Sequence, residues 1–462
     1  MPAIIKDLSV TQGASSVTYN HSYIFLISTV AALGGLLFGF DTAIISGTIA
    51  FIQPYFQLDD VALGWAVSSI LIGCAIGAAV AGKLSDVLGR KKVLLLCAIL
   101  FAVTGVVTGF SSSLLIFIAF QMLGGLAVGA AAMVAPMYIA ETAPAHLRGR
   151  LVSVYQLAIV SGILLTYLSN YLLADSGKDA WRWMFASQTV PSLLFMICLF
   201  FVPETPRWLV KNHQLDAAKK ILQKVGGDEH TEEELAAIDK SFEEHQQVNW
   251  RNLLLPQYRN VLLIGIIIAI FQQITGINAI LYYAPEIFKQ TGVNTSDALL
   301  QTIGIGVIMF LFTFVAIWLV DKASRKILLL SGCLVMAFAL IGVAACFYFS
   351  FFDYYLVLIC MMLYIVGFSA SLGAVTWVIL SEIFPNSIRA MALSFSTFIL
   401  WMADFAVSFL FPVSNKRLGG TATLLFFAAL CFIYFVYIKL KVPETKNKTL
   451  EELETMLAPS IH

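Results

Sequence analysis

The segment GKLSDVLGRKK at Gly82–Lys92 returns in shortened form as VDKASRK at Val320–Lys326, with Asp86 matched by Asp321 and Arg90 by Arg325, each 235 residues on. Two more motifs repeat in the same order. Glu141, Pro144 and Arg148 recur as Glu382, Pro385 and Arg389 at an offset of 241, and Pro203-Glu204-Thr205 recurs as Pro443-Glu444-Thr445 at 240. Self-similarity at a fixed spacing marks a duplicated structural unit. Between these motifs the chain is apolar, in runs of about twenty residues, the length that crosses hydrocarbon as a helix. The runs lie near 24–50, 63–82, 93–110, 114–140, 151–173 and 183–202, then 261–289, 298–320, 327–349, 355–381, 390–412 and 420–441. The predicted fold is therefore an all-α integral membrane protein of twelve transmembrane helices in two pseudo-symmetric six-helix halves, 1–202 and 260–462, joined by a polar helical linker at 203–259.

Composition agrees. The 462 residues are 59% hydrophobic and 12% charged with a mean hydropathy of +0.86, whereas soluble domains carry roughly 25% charge. Lys plus Arg equals Asp plus Glu at 28 each, so no basic excess is present to hold a phosphate backbone, and a nucleic-acid partner is excluded. All the basic residues but five (Lys178, Arg182, Lys289, Lys416 and Arg417) fall in the tails, the linker and the loops on one side. That bias predicts both termini in the cytoplasm. The polar start, Met1 to Ser22, lacks the basic n-region of a removable signal peptide.

The seven cysteines sit inside apolar runs without paired spacing and read as small core residues. The six histidines lie in loops and tails. No nucleophile–base pair, metal-ligand cluster or phosphate-cradling loop appears, so neither an enzyme nor a resident cofactor or metal is expected. The linker, with helix-like stretches at Leu215–Val225 and Glu232–His245, is too small to bury a catalytic core.

Chemistry concentrates in the polar residues of the spans. Gln272, Gln273, Thr275, Gly276, Asn278, Tyr282 and Tyr283 share the seventh run. Carboxamides offer donors and acceptors together, the complement of vicinal hydroxyls. Gly276 permits a break in the helix, so that side chains from different stripes converge. This favours a neutral polyol, because an organic ion would call for an opposite charge in the span. The competing reading is interhelical hydrogen bonding alone. Asp41, an acid in the first span, is costly to bury charged and is a candidate for proton coupling.

Taken together, GGLLFGFD in the first span, the loop at Gly82, PMYIAETAPAHLRGR (Pro136–Arg150), PETPRWL (Pro203–Leu209), QQITGIN (Gln272–Asn278), WVILSEIFP (Trp377–Pro385) and PETKNKTLEELE (Pro443–Glu454) resemble the sugar porter family of the major facilitator superfamily. The pattern is most similar to bacterial xylose and galactose proton symporters. The resemblance implies that Gln156, Gln272, Gln273, Asn278 and Trp377 contact sugar, that Phe38 and Trp401 line the pocket, and that Tyr282 and Tyr283 form an extracellular gate. It implies further that Asp86, Arg90, Glu141, Arg148, Glu204, Asp321, Arg325, Glu382, Arg389 and Glu444 make cytoplasmic ion pairs that join the halves when the inside is shut.

In proton-coupled members the aspartate at position 41 faces an arginine on span four, and passive facilitators lack the acid. Here Gln121 takes the arginine's place, opposite Asp41, and a neutral amide stabilises a carboxylate far less than a cation does. Other departures are Met309 and Leu400 in place of amides, and Asp404 in place of an asparagine, which would contact sugar or share the proton role. Ser324 precedes Arg325 where the family has glycine, Ala390 follows Arg389 in place of the glycine of an Arg-Gly step, and Ala374 replaces a proline. The expected activity is monosaccharide:proton symport by alternating access, with a passive facilitator or a non-transporting sugar sensor as alternatives. The expected partners are a monosaccharide, protons and the lipid bilayer, with a single chain as the functional unit in a bacterial inner membrane.

Overall fold

Each apolar run becomes helical because hydrocarbon offers no partner to a free backbone N–H or C=O. In a computed structural model, which describes residues 19–243, 253, 255–350, 354–385, 387–446, 448 and 452, the first half holds α1 (His21–Tyr55), α2 (Asp60–Leu88), α3 (Arg90–Gly109), α4 (Leu114–Thr142) and α5 (Ala145–Leu173). Its sixth span is α6 (Ala180–Ser187) continued by α7 (Thr189–Phe200). The linker helices are α8 (Pro206–Lys211) and α9 (Leu215–Glu243), the latter bent at Gly227, with φ +79°. His245, which closes the second helix-like stretch of the linker, lies outside the described residues.

The second half opens on a divided seventh span, α10 (Pro256–Ile274) and α11 (Ile277–Lys289), followed by α12 (Thr295–Lys322) and α13 (Arg325–Tyr348). Span ten is α14 (Tyr354–Gly367), a π turn at Phe368–Leu372, and α15 (Gly373–Ile383). The chain then runs through α16 (Arg389–Lys441), whose two arms part at Gly419, with φ +82°. Among the described residues eleven helical stretches are long and apolar enough to cross a membrane, and the last holds two spans, which makes twelve. Large apolar side chains such as Phe201, Leu115 and Val190 are exposed on the outer surface, as a lipid-facing wall requires.

Glycines set how closely the first-half helices approach. On α2, Gly73 and Gly77 are four residues apart, as are Gly125 and Gly129 on α4. A Cβ added at Gly73 would lie 2.0 Å from Met122 O, and one at Gly125 would lie 1.9 Å from Ile70 O. Those at Gly77 and Gly129 would meet Leu126 O at 2.2 Å and Cys74 O at 2.0 Å. Each helix thus lays its backbone in the other's glycine groove, the device by which helices associate without a hydrophobic driving force. Gly39 and Gly162 repeat it between α1 and α5, against Ile159 O (1.9 Å) and Leu36 O (2.0 Å).

The linker docks against the membrane bundle at the end where the repeated loops lie. Leu209, Val210, Ala218, Ile221 and Ile238 form a small separate apolar cluster, and Asn20 N, ahead of α1, donates to Val225 O at 2.9 Å. At the opposite end the halves are in contact. A Cβ at Gly64 would lie 2.4 Å from Phe409 O, Trp65 packs on Phe405 and Phe409, and Lys416 pairs with Asp60 at 2.8 Å.

Candidate functional site

Between the halves a cavity of about 1000 Å³ runs from mid-bundle to the linker end, where His146, Gly149, Arg150 and Arg325 line it. Phe38, Gln156, Gln272, Gln273, Asn278, Trp377, Trp401 and Tyr282 all line it deeper in. They come from α1, α5, both pieces of the seventh span, α15 and α16, and only tertiary packing brings them together. The break that makes this possible is at Gly276, whose φ of +97° is the left-handed region glycine tolerates. Tyr364 O–H donates to Thr275 O (3.1 Å), so a carbonyl at the break has a partner.

The amides form one chain. Gln273 Nε2 donates to Gln272 Oε1 (2.8 Å), and Asn278 Nδ2 donates both to Gln273 Oε1 (3.0 Å) and to Asp404 Oδ2 (2.6 Å). Phe38 and Trp401 stand 5.7 Å apart, ring to ring, beside it. Met309 and Leu400 also line the cavity, so the two family departures put apolar side chains in its wall. Tyr282 faces this cavity, whereas Tyr283 lines a smaller pocket of about 360 Å³ at the opposite end, with Asp60, Glu286 and Lys416. The tyrosine pair therefore straddles the closed contact between the two spaces. Tyr283 is fixed there by donating to Ser408 O (3.1 Å) and stacking on Phe411.

Both membrane-embedded acids are buried, and neither lines the cavity. Asp41 lies against α4 at Gly124, where a Cβ would come within 3.0 Å of Oδ2. Among the described residues no hydrogen bond joins Asp41 to Gln121, the residue expected opposite it. Gln188, at the α6–α7 junction, lies near its carboxyl, but the Gln188 Nε2 donates to Phe101 O (3.2 Å), and Asp41 Oδ2 is buried without a hydrogen-bond partner among the described residues. The sequence signal for Gln188 was there, an amide inside the sixth apolar run, but nothing local tied it to α1. Asp404 stands behind Asn278, fully buried, and accepts from Ser408 Oγ at 3.1 Å as well. Among the described residues, Asn278 is the cavity-lining side chain hydrogen-bonded to it. Among the described residues no cation pairs with either acid.

The repeated loops form two copies of one charge cluster. In the first, Arg90 pairs with Glu141 (2.9 Å) and Asp86 (3.1 Å), and Glu204 accepts from the backbone N–H groups of Arg90 and Lys91. In the second, Arg325 pairs with Glu382 (3.4 Å), and Glu444 accepts from the N–H groups of Arg325 and Lys326. Burial pushes the Glu204 carboxyl up from its ordinary value, against these donors. For Glu444 burial acts the same way but is outweighed: the Ser324 hydroxyl and three backbone N–H groups hold it below the ordinary value.

The missing glycine of the second copy has a physical account. Gly89 sits at φ +97°, and a Cβ there would strike Glu204 Oε2 at 2.3 Å; Ser324 instead takes φ −64°, caps α13 and donates to Glu444. Arg148 is exposed in the first turn of α5, Arg389 Nε donates to Phe384 O (3.1 Å), and Asp321 lies in the last turn of α12. The ion pairs of these clusters lie within the halves, and the cavity opens between them.

Two pseudo-symmetric helical halves around a mid-membrane cavity with amides in a largely apolar wall, reached from one end and closed at the other, define a membrane transporter of the alternating-access class. The chain belongs to the sugar porter family of the major facilitator superfamily: the family described as "Sugar (and other) transporter" matches residues 27–457. It is 41% identical over 479 residues to the D-xylose-proton symporter of Escherichia coli (strain K12), covering 96% of this chain and 97% of that one. It is 39% identical over 448 residues to the arabinose-proton symporter of Bacillus subtilis (strain 168), covering 95% and 97%. Among solved structures, the E. coli xylose transporter in a partially occluded inward-open conformation superimposes with a TM-score of 0.84 at 39% identity, covering 93% of this chain and all of that one. The protein is a transporter and not an enzyme.

Proposed function

We propose that the protein is a monosaccharide:proton symporter, with Asp41 and Asp404 as the titrating acids and the conformation described here open to the cytoplasm. The observation that carries the substrate class is the cavity wall. Four amides and two tryptophans converge at mid-membrane, and the cations that line the cavity, Arg150 and Arg325, stand only at its mouth. Amides read hydroxyls while an aromatic face takes the C–H face of a sugar ring. Relatives that carry xylose and arabinose with protons support the same reading. The basic residues crowded at the linker end support a cytoplasmic placement of that end and of both termini, and the bacterial source of the relatives supports an inner membrane. Residues 1–202 and 260–462 are the rocking bodies, 203–259 tethers them, and one chain encloses the whole pathway. The charge clusters at Asp86–Glu204 and Asp321–Glu444 exchange partners across the halves when that side shuts, while Tyr282 and Tyr283 part.

The experiment is uptake of labelled monosaccharides into energised vesicles with and without a protonophore. Accumulation that the protonophore abolishes is the expected result. Equilibration indifferent to it would establish a passive facilitator, the reading favoured by the absence, among the described residues, of a cation beside either acid. The aromatic wall makes its own prediction. Trp401→Ala loses a ring beside Phe38 and weakens binding by about 1 kcal/mol or more, so half-saturation should rise roughly five- to tenfold with the maximal rate little changed. An unchanged half-saturation would remove Trp401 from the site.

A further inference from the structure

We propose that Asp404 is the acid through which the protein registers an occupied sugar site, because the amide that reads the sugar is also the donor that holds its carboxylate. The inference rests on the symport reading for its biological use but stands on hydrogen-bond accounting at one residue. An asparagine side chain has two N–H donors. Both of those on Asn278 are spent, one on Gln273 Oε1 and the other on Asp404 Oδ2, the shorter of the two at 2.6 Å. Asn278 lines the cavity and is partly accessible, whereas Asp404 is fully buried behind it. A sugar hydroxyl that accepts from Asn278 Nδ2 must therefore take an N–H from Gln273 or from Asp404.

When the N–H comes from Asp404, the donor left to a fully buried carboxylate among the described residues is the Ser408 hydroxyl. An anion in that position is costly. A proton entering from water in the cavity replaces the lost donor: one O–H bond forms on Asp404 Oδ2, the hydronium that supplies it returns to water, and the new O–H can donate to Asn278 Oδ1. Release of sugar lets Asn278 turn back and the proton leave. Sugar and proton thus bind together and depart together, with the linkage carried by a single amide.

Among the described residues no cation pairs with Asp404. The titratable groups that interact electrostatically with Asp404 are Tyr282 on α11 and Cys74 on α2, and Asp41 acts on the same Cys74 from α1. Gln273 and Gln272 extend the link along the cavity wall, so contacts at any of three amides reach the acid.

The test is proton uptake on adding D-xylose to the purified protein in weakly buffered solution, read with a pH indicator, with L-glucose as the control sugar. Wild type should take up protons with D-xylose, and its affinity should fall by up to about tenfold per pH unit as the solution is made more alkaline, the slope of one linked proton. Asp404→Asn should bind with no such slope and with proton uptake reduced to the control level, and Asp404→Glu should restore both. No uptake by wild type at saturating D-xylose overturns the proposal, as does Asp404→Asn that takes up protons like wild type. Should Asp404→Asn fail to bind, Asp404→Glu and the infrared band of a protonated carboxyl appearing in wild type on D-xylose binding decide it; absence of that band overturns it. Uptake on binding by a protein that only equilibrates sugar would refute symport and keep this inference. Protonophore-sensitive accumulation with uptake unchanged in Asp404→Asn would do the reverse.

Discussion

Asp41→Asn is expected to turn sugar accumulation into mere equilibration while leaving exchange of internal for external sugar intact. A symporter concentrates sugar only if reorientation is blocked for forms that carry one partner without the other. Asp41 sits in the first half, buried against α4 at Gly124 and three residues on from Phe38, whose ring meets Trp401 of the second half, so its access to the pathway changes when the halves rock. An ionised carboxylate there, with no cation beside it, disfavours reorientation of the sugar-loaded carrier; a protonated one permits it. Asparagine reproduces the protonated shape for good, so sugar crosses without a proton and the gradient drives nothing. One proton against 100 mV is worth about 2.3 kcal/mol, or about fifty-fold in concentration, and that ratio should fall to about one. The paired measurement is uptake into energised vesicles and counterflow into sugar-loaded ones. Accumulation surviving in the variant would exclude Asp41 as a coupling acid, and loss of counterflow as well would make its role structural.

Gly125→Val is expected to abolish folded protein outright. A Cβ at this position would stand 1.9 Å from Ile70 O, and a β-branched side chain adds two methyl groups in the same direction. The obstacle is backbone, which has no rotamer with which to move away. The helices must separate, and the matched contacts at Gly73, Gly77 and Gly129 are lost with them. Overpacking against side chains already costs about 1–3 kcal/mol, and displacing two helix backbones along four such contacts exceeds it. Gly82→Ala is the control, since no atom lies within 4 Å of its added Cβ. Size-exclusion profiles of the two variants in mild detergent would separate the outcomes: a wild-type peak for Gly82→Ala and almost none for Gly125→Val. A normal peak for Gly125→Val would mean the α2–α4 approach is not needed for folding.

Much of this molecule was legible in its residues. Span number and the two-half organisation follow from apolar run length and motif spacing, which are properties of the chain read in order. The amides of the seventh span were found the same way, because a carboxamide in hydrocarbon must have a partner wherever the helix stands, and Gly276 marked the break. The partners themselves were not legible. Gln121 was expected to face Asp41 because an arginine stands there in related proteins, and the helix it sits on does lie against Asp41, but the nearness of Gln188 at the α6–α7 junction could not be read from the chain. The GxxxG pairs on α2 and α4 were visible as spacing, but spacing does not say which helix fills the groove.

The sequence by itself thus determined the twelve spans, the duplication and the presence of amides within the seventh span, since burial of polar groups in hydrocarbon is decided residue by residue. Only the tertiary structure decided that Asp404 is tied to Asn278, that Tyr282 and Tyr283 look into different spaces, and that the linker end is open. Those facts depend on the rotation of each helix about its axis and on the tilt between the halves. Neither is fixed until all the helices pack against one another.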